Sequence, residues 1–395
     1  MANTILTPLM ITREALRILH QKCTFISSIN RDYDDSFAQK GAKIGDLLRI
    51  RLPNQYTVRN GINMATQDTV EQQVFLQVNN VKGVDLNFTS QELTLSLDDF
   101  SKRIIEPAMA VLAANIEADV LSMRRDVYQQ VNNVTGPMAL LQALRGRQML
   151  QDSLTPAGDR TALLSSFDNV QLVNSISGLF NDTTTIAKQY REGYMGRTAG
   201  FDFMESTHLS TQARGNFTGY LVNGAGQTTN VLNVDTGTGL IDIGSVFTIP
   251  GVNRVHPETK VDTGVPQQFV VLNTVGSPNV TQLVISPEIF TTGAYKNVTN
   301  SPADNAVLNF AGTANTPYGQ SMVYHKDAFT FATADLVLPQ GVDFAAREVM
   351  DGISMSLVRQ FQISDRSFPC RLDVLYGYKT LRPQLAARIA NQAPS

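Results

Sequence analysis

Between about Ala213 and Asn300 the chain changes character. Gly, Thr, Val and Asn dominate, charged residues become sparse, and short β-branched runs such as "VFTIPGV", "QQFVVLNTV" and "TQLVISP" alternate with Gly, Pro and Asn punctuation. No helical period appears there. The segment before it and the segment after it both mix helical and strand patterns. A chain built this way is read as an α+β protein interrupted by a small all-β unit, a barrel or a sandwich.

The flanking sequence supports that reading. In "ITREALRILHQKCTF", Ile11, Ala15, Leu16, Leu19 and Cys23 recur at spacings of three and four, which predicts an amphipathic helix with Thr12 as its N-cap. The "SINRDYDDSF" that follows reads as a loop, with Asp32, Asp34 and Asp35 forming a solvated acidic turn. Leu48, Ile50 and Leu52 alternate with Arg49 and Arg51 until Pro53 ends the run, and Val74, Leu76 and Val78 alternate again. Paired, these runs predict a long hairpin of about twelve residues a side, reaching roughly 40 Å. Its tip, "TVRNGINMATQD", has too few apolar residues for a core of its own, so its support is expected from another molecule. Arg49, Arg51 and Arg59 then become candidate contacts to carboxylates of a neighbouring copy.

The strongest helical signal follows. Ile105, Met109, Leu112, Ile116, Val120, Met123, Val127 and Val131 keep a 3.6-residue period, predicting one helix from Pro107 to Asn132, about 39 Å long. "GPMALLQALRGRQMLQDS" and "NVQLVNSISGLF" read as helices, "DRTALLSS" and "GRTAGFDFMES" as strands, and "MVYHKDAFTFATADLVLP" and "FPCRLDVLYGY" as later strands.

Composition narrows the function. With 43% hydrophobic and 17% charged residues over 395 positions, the chain has the make-up of a folded protein with a sizeable core. A net charge of −3 argues against a main task of gripping nucleic acid. No apolar run approaches the roughly 20 residues of a membrane span. "MANTILTPLM" lacks a basic segment ahead of an apolar one, so no secretory signal is expected and folding in the cytoplasm is. Cys23 and Cys370 both sit in apolar settings and read as buried free thiols. Catalytic signatures are missing: there is no phosphate-binding Walker loop, no His-Glu-x-x-His, no Cys-x-x-Cys and no nucleophile elbow. "TGTGLID" from Thr236 has no helix after it and reads as a β-turn. His20, His208, His256 and His325 are scattered without metal-ligand spacing. No catalytic, metal or cofactor site is therefore assigned, and contacts between copies are the expected business of the chain.

Four stretches, in order, resemble one family: "ITREALRILHQKCTFISSINRDYDDSFAQKGAKIGDLLRIRLP", "GYMGRTAGFDFMEST", "YHKDAFTFATADLVLP" and the closing "RLDVLYGYKTLRPQLAARI". They look like the major coat proteins of tailed double-stranded DNA bacteriophages, in the P-twenty-two-type branch that carries an insertion domain. The resemblance spans essentially the whole chain. It implies the Hong-Kong-ninety-seven-type capsid fold, with an N-terminal arm over 1–40 and an extended loop over 46–78. It also implies a peripheral domain over 79–137 and 351–395, an axial domain over 138–212 and 313–350, and the inserted β domain over 213–312. The final strand, with Cys370, Leu372, Val374 and Tyr376 on one face, is expected to return to the peripheral sheet and close it.

The implied function is a major capsid protein that self-assembles, as hexamers and pentamers, into an icosahedral shell enclosing packaged DNA in the virion. The resemblance further implies assembly in the host cytoplasm with a scaffolding protein and a portal, room for a decoration protein, non-specific contact with DNA, and no membrane. The alternative is another virion or shell component, such as a tail tube or an encapsulating nanocompartment protein. Some members of the family crosslink Lys to Asn, and nothing in this sequence marks such a pair.

Overall fold

The computed structural model describes residues 8–32, 47–59, 61–64, 66–89, 104–176, 196–350, 353–364 and 367–392. Asp34 and Asp35 of the acidic turn, and 177–180 at the end of "NVQLVNSISGLF", lie outside them. The chain divides into two compact units, the first formed by 1–50, 73–121 and 329–381 and the second by 51–72, 122–328 and 382–395.

In the first unit, helix α1 (Pro8–Lys22) buries Ile11, Ala15, Leu16 and Leu19, as expected from their spacing, and Ile18 besides. Thr12 is no N-cap: the helix begins one turn earlier, at Pro8, and Thr12 is buried within it. α1 packs on helix α3 (Glu106–Leu121) and on strand Phe344–Met350. The short helix α2 (Thr24–Ser27) is held by a carboxylate: buried Glu117 of α3 accepts from Thr24 N at 2.8 Å, Thr24 Oγ1 at 2.7 Å and Phe25 N at 3.1 Å. These bonds satisfy orphan N–H groups at the start of α2, and they fix the arm to α3 without any cap from Cys23.

The sheet of this unit is antiparallel, in the order Phe329–Ala334, Ser367–Thr380, Ile353–Arg359, Phe344–Met350, with Asn80–Thr89 along the other edge of Ser367–Thr380. Ser367–Thr380 is therefore central, which is why Leu372, Val374, Leu375 and Tyr376 are all buried. Tyr376 donates to Asp119 Oδ2 at 2.6 Å, and the same oxygen meets Lys82 Nζ at 2.7 Å, tying α3 to two strands of the sheet. Burial, and then the bond to Asp119, hold the Tyr376 phenol well above its ordinary value.

The expected helix from Pro107 to Asn132 stops early. After α3, Ser122–Asp126 form a 3-10 turn and Gln130–Asn133 a strand. Val127 and Val131 are buried as the stripe demands, but Val127 lies past the helix in irregular structure and Val131 in the paired strand.

In the second unit a six-stranded sheet runs Gln130–Asn133, Ala386–Asn391, Gly319–His325, Arg160–Leu164, Phe201–Glu205, Arg197–Thr198. Two of its pairings are parallel, Gln130–Asn133 with Ala386–Asn391 and Arg160–Leu164 with Phe201–Glu205. Helix α4 (Leu140–Asp152) lies close on it: a Cβ at Gly146 would stand 2.7 Å from Val323 Cγ2, so only glycine permits that approach. Helix α5 (Ser166–Ser175) is capped by Ser165 Oγ, which accepts from Asp168 N at 3.1 Å. Val131, Met138, Ala143, Leu150, Leu164 and Phe203 share one core with Val323 and Ile389.

Four strands pair outside the boundaries expected for the two parts of the main fold: Phe329–Ala334, expected with the axial part, joins the first unit's sheet, Gln130–Asn133, expected with the peripheral part, joins the second unit's sheet, and two more strands also cross over. Phe344–Met350 pairs with Ile353–Arg359 in the first unit's sheet, because the two are arms of one hairpin. Ala386–Asn391, expected with the peripheral part, pairs with Gly319–His325 and Gln130–Asn133 in the second. Every residue of Ala386–Asn391 is buried.

The β-rich insertion folds around its own core. Its strands are all antiparallel, in the order Asn309–Phe310, Val246–Val255, Asp262–Val275, Gln282–Ser286, Val231–Asp235, Leu221–Val222, with a separate ladder of Gly215–Thr218 and Thr238–Ile241. Alternate residues such as Leu232, Val234, Leu283 and Ile285 point inward, as a two-residue period requires. Phe310 stacks edge-on against Phe217 at 4.6 Å and lies 5.1 Å from Phe247 in the same core. The neck closes where Gln212 and Tyr318 exchange two backbone hydrogen bonds of 2.9 Å.

Candidate assembly surfaces

The extended loop has a shorter ladder than its sequence suggests. Leu47–Arg51 pairs with Gln73–Gln77, one more bond joins Leu52 N to Gln72 O at 2.9 Å, and beyond that the arms run without regular strand structure. Side chains hold them instead: Thr57 N and Oγ1 both donate to Gln67 Oε1, and Gln67 Nε2 donates back to Thr57 O at 2.8 Å. The loop also rests on the insertion, through Lys260 Nζ donating to Gln55 Oε1 at 3.1 Å and Tyr295 OH donating to Val70 O at 2.6 Å. These two bonds brace the arms on either side of the tip within the chain itself. Apolar side chains still project from it, with Val58 90%, Ile62 96% and Met64 83% exposed.

The three arginines proposed for this loop separate. Arg51 finds a carboxylate in its own chain, Glu71 across the hairpin at 3.5 Å, both partners exposed. Such a pair contributes at most about 1 kcal/mol. Arg59 turns inward on its own tip, donating through Nη1 to the carbonyls of Gly61 and Asn63. Arg49 is exposed on Leu47–Arg51 and has no ion pair among the described residues.

The insertion is seated on the six-stranded sheet of its unit by polar groups that the sequence did not advertise. Gln268 places its side-chain amide against the free edge of Gln130–Asn133: Gln130 N donates to Gln268 Oε1 and Gln268 Nε2 donates to Gln130 O, each at 2.8 Å. Arg254 meets Asp152 of α4 at 3.0 Å. Arg388, wholly buried on Ala386–Asn391, donates through Nη2 to Gly244 O at 2.8 Å, while Nε and Nη1 have no partner. Burial, and then the charge of Arg124, push the Arg388 guanidinium down to about 9, with Asp126 opposing. Arg124 is itself pushed down to about 10, by burial and then by Arg125, and it donates to Ser210 Oγ at 2.6 Å. Gly244, at a φ of +89°, brings its carbonyl to Arg388 in a conformation that glycine adopts without strain.

Among the described residues no three His, Cys, Asp or Glu side chains gather as a metal site. Among the described residues no helix is long and apolar enough to cross a membrane. Cys23 and Cys370 are free and buried, and burial pushes both thiols up to about 12.

The family model of the P22 coat protein, gene protein 5, matches residues 44–388 of the 395. The chain belongs to the P22 coat protein family. As a member it is a major capsid protein, a structural component and not an enzyme, that self-assembles into the icosahedral shell of a tailed bacteriophage. Its fold is the Hong-Kong-ninety-seven-type capsid fold with an inserted β domain, as the four motifs implied. Solved structures similar to this coat protein include one from Mycobacterium phage Che8, 12% identical, with a TM-score of 0.49 over 93% of this chain and 90% of that one. The mature capsid of bacteriophage PhiM1 is 11% identical, with a TM-score of 0.45 over 88% and 83%. The I-domain of the CUS-3 coat protein is 30% identical over 24% of this chain and 96% of that one, with a TM-score of 0.20. No curated protein matches the chain. The family assignment rests on the family model.

Proposed function

We propose that this coat protein assembles in the host cytoplasm, with a scaffolding protein and around a portal, into a shell that contacts packaged DNA without sequence preference and leaves room for a decoration protein. In this reading the extended loop and Arg49 form contacts between subunits, while Arg51 and Arg59 shape the loop that presents them. The first unit is the peripheral domain. The axial domain is formed by 122–211, 319–328 and 382–392, and the insertion occupies the segment between Gln212 and Tyr318.

The observation that carries the reading is the tip of the extended loop. Val58, Ile62 and Met64 stand almost fully in water on a segment held by hydrogen bonds and not by a core. Three such side chains on one short projection cost solubility in a monomer and gain a place only when a neighbour covers them. Repeated around a closed symmetric shell, modest contacts of this kind sum to a stable particle.

The test replaces Val58, Ile62 and Met64 by Ser, and separately Arg49 by Glu, and follows assembly by sedimentation. Both variants are expected to yield soluble monomer that melts like the parent, with shell yield down by at least about 10-fold, the equivalent of roughly 1.4 kcal/mol per contact set. Full assembly by both variants would remove the loop from the contacts.

A further inference from the structure

Gln130–Asn133 is the terminal strand of its sheet, with Ala386–Asn391 as its one strand partner among the described residues. Its other edge is closed at a single residue, Gln130, by the amide of Gln268, which donates and accepts as a peptide group of a neighbouring strand would. Asn132 is two positions further on, so its N–H and C=O face the same edge. What they face is a cavity of about 380 Å³ that Asn132 helps to line.

The walls of this cavity have an unusual composition. One wall is α4, which contributes Arg145, Gln148 and Met149. The other is the insertion, where the ladder of Val246–Val255 with Asp262–Val275 slips between the pairs Thr248↔Gln268 and Asn253↔Pro266. Five steps along one strand answer two along the other. The first strand swings away, and Val265 and Pro266 are left exposed on the cavity wall. Of the two cations lining it, Arg254 is held by Asp152, but Arg145 is exposed and makes no hydrogen bond or ion pair among the described residues.

We propose that this cavity binds an extended, acidic peptide segment of a partner protein. The segment adds to the open edge at Asn132, continuing the line that the Gln268 amide begins, sets a carboxylate on Arg145, and lays an apolar side chain on Met149, Val265 and Pro266. Backbone pairing supplies affinity and the side-chain contacts supply selectivity. A strand edge with a donor and an acceptor is of no use to a free inorganic anion. Double-stranded DNA is far too wide for a cavity of this volume. The site lies within one chain and does not depend on the loop contacts proposed above.

The test uses the full-length chain and two fluorescent, end-blocked pentapeptides, Val-Glu-Val-Glu-Val and its Gln counterpart, read by anisotropy. The acidic peptide is expected to bind saturably and at least about 10-fold more tightly than the Gln peptide, since a charge-assisted bond to Arg145 separates them. Arg145→Glu is expected to remove that difference. Hydrogen exchange of the bound complex is expected to slow at the Asn132 amide. Absence of saturable binding at millimolar peptide, equal affinity of the two peptides, or unchanged exchange at Asn132 would overturn the proposal. So would equally effective competition by free glutamate or by a short DNA duplex. Comparing the two peptides needs no protein variant, so the test survives a folding failure in Arg145→Glu.

Discussion

Replacing Arg388 by Met is expected to make the second unit more stable, against the usual rule that changes in a core destabilise. The guanidinium is fully buried, makes one hydrogen bond to Gly244 O, and leaves Nε and Nη1 without partners. Its fall from the ordinary guanidinium range to about 9 corresponds to a penalty on the charged folded form of about 5 kcal/mol at neutral pH. Losing the bond to Gly244 O gives back roughly 1.5–3 kcal/mol, and Met fills most of the same volume with apolar atoms. The net expectation is a gain of about 2 kcal/mol. A lowered value on a base fixes the sign of the pH effect. The penalty is complete below about 9 and is relieved as pH rises from there towards the ordinary guanidinium range, because the folded protein sheds the proton first. The gap between Arg388→Met and the parent therefore narrows above pH 9. Urea denaturation of monomer at pH 7, 9 and 10, followed by circular dichroism, measures both effects. A variant less stable than the parent by more than about 1 kcal/mol at pH 7, or a gap that ignores pH, would refute the reasoning.

Three further outcomes follow from other parts of the fold. Glu117→Ala removes the acceptor of three hydrogen bonds to Thr24 and Phe25, so it is expected to cost about 2–4 kcal/mol and to expose the α1–α2 arm to limited proteolysis before the rest of the chain. Gly146→Ala forces α4 off Val323 and is expected to cost about 1–3 kcal/mol in a thermal melt, whereas alanine at an exposed helix glycine would stabilise. Cys23 and Cys370, pushed up to about 12 by burial, are expected to resist an aromatic disulfide reagent at pH 8 until denaturant is added; rapid reaction of the native protein would place them at the surface.

The insertion was legible because two independent signals change together at its ends, the loss of charge and the loss of helical period, and neither needs a distant partner to be read. The amphipathic face of α1 was legible for the same local reason. The end of α3 was not. Val131 continues the apolar stripe in phase, yet it belongs to a strand, Gln130–Asn133, that pairs in parallel with Ala386–Asn391 and whose other edge is met by Gln268. Partners so far along the chain leave no trace in a local window. Ala386, Ala387 and Ala390 escaped as strand residues because alanine carries little strand preference, and burial between two neighbouring strands overrode it. Arg388 lay in the same blind spot, an arginine whose surroundings are set by Gly244 and Arg124. At the loop, alternation showed the hairpin but overstated its ladder, because exposed arms without a core have nothing to keep them extended beyond Leu52.

The central claim, that this member of the P22 coat protein family builds a shell, is tested most directly by cryo-electron microscopy of the protein expressed with the scaffolding protein proposed for it. The account predicts closed icosahedral particles tens of nanometres across, in which Val58, Ile62 and Met64 of each extended loop lie against a neighbouring subunit. Protein that stays monomeric at high concentration with scaffold present, or particles in which those loop tips stand free in solvent, would contradict it.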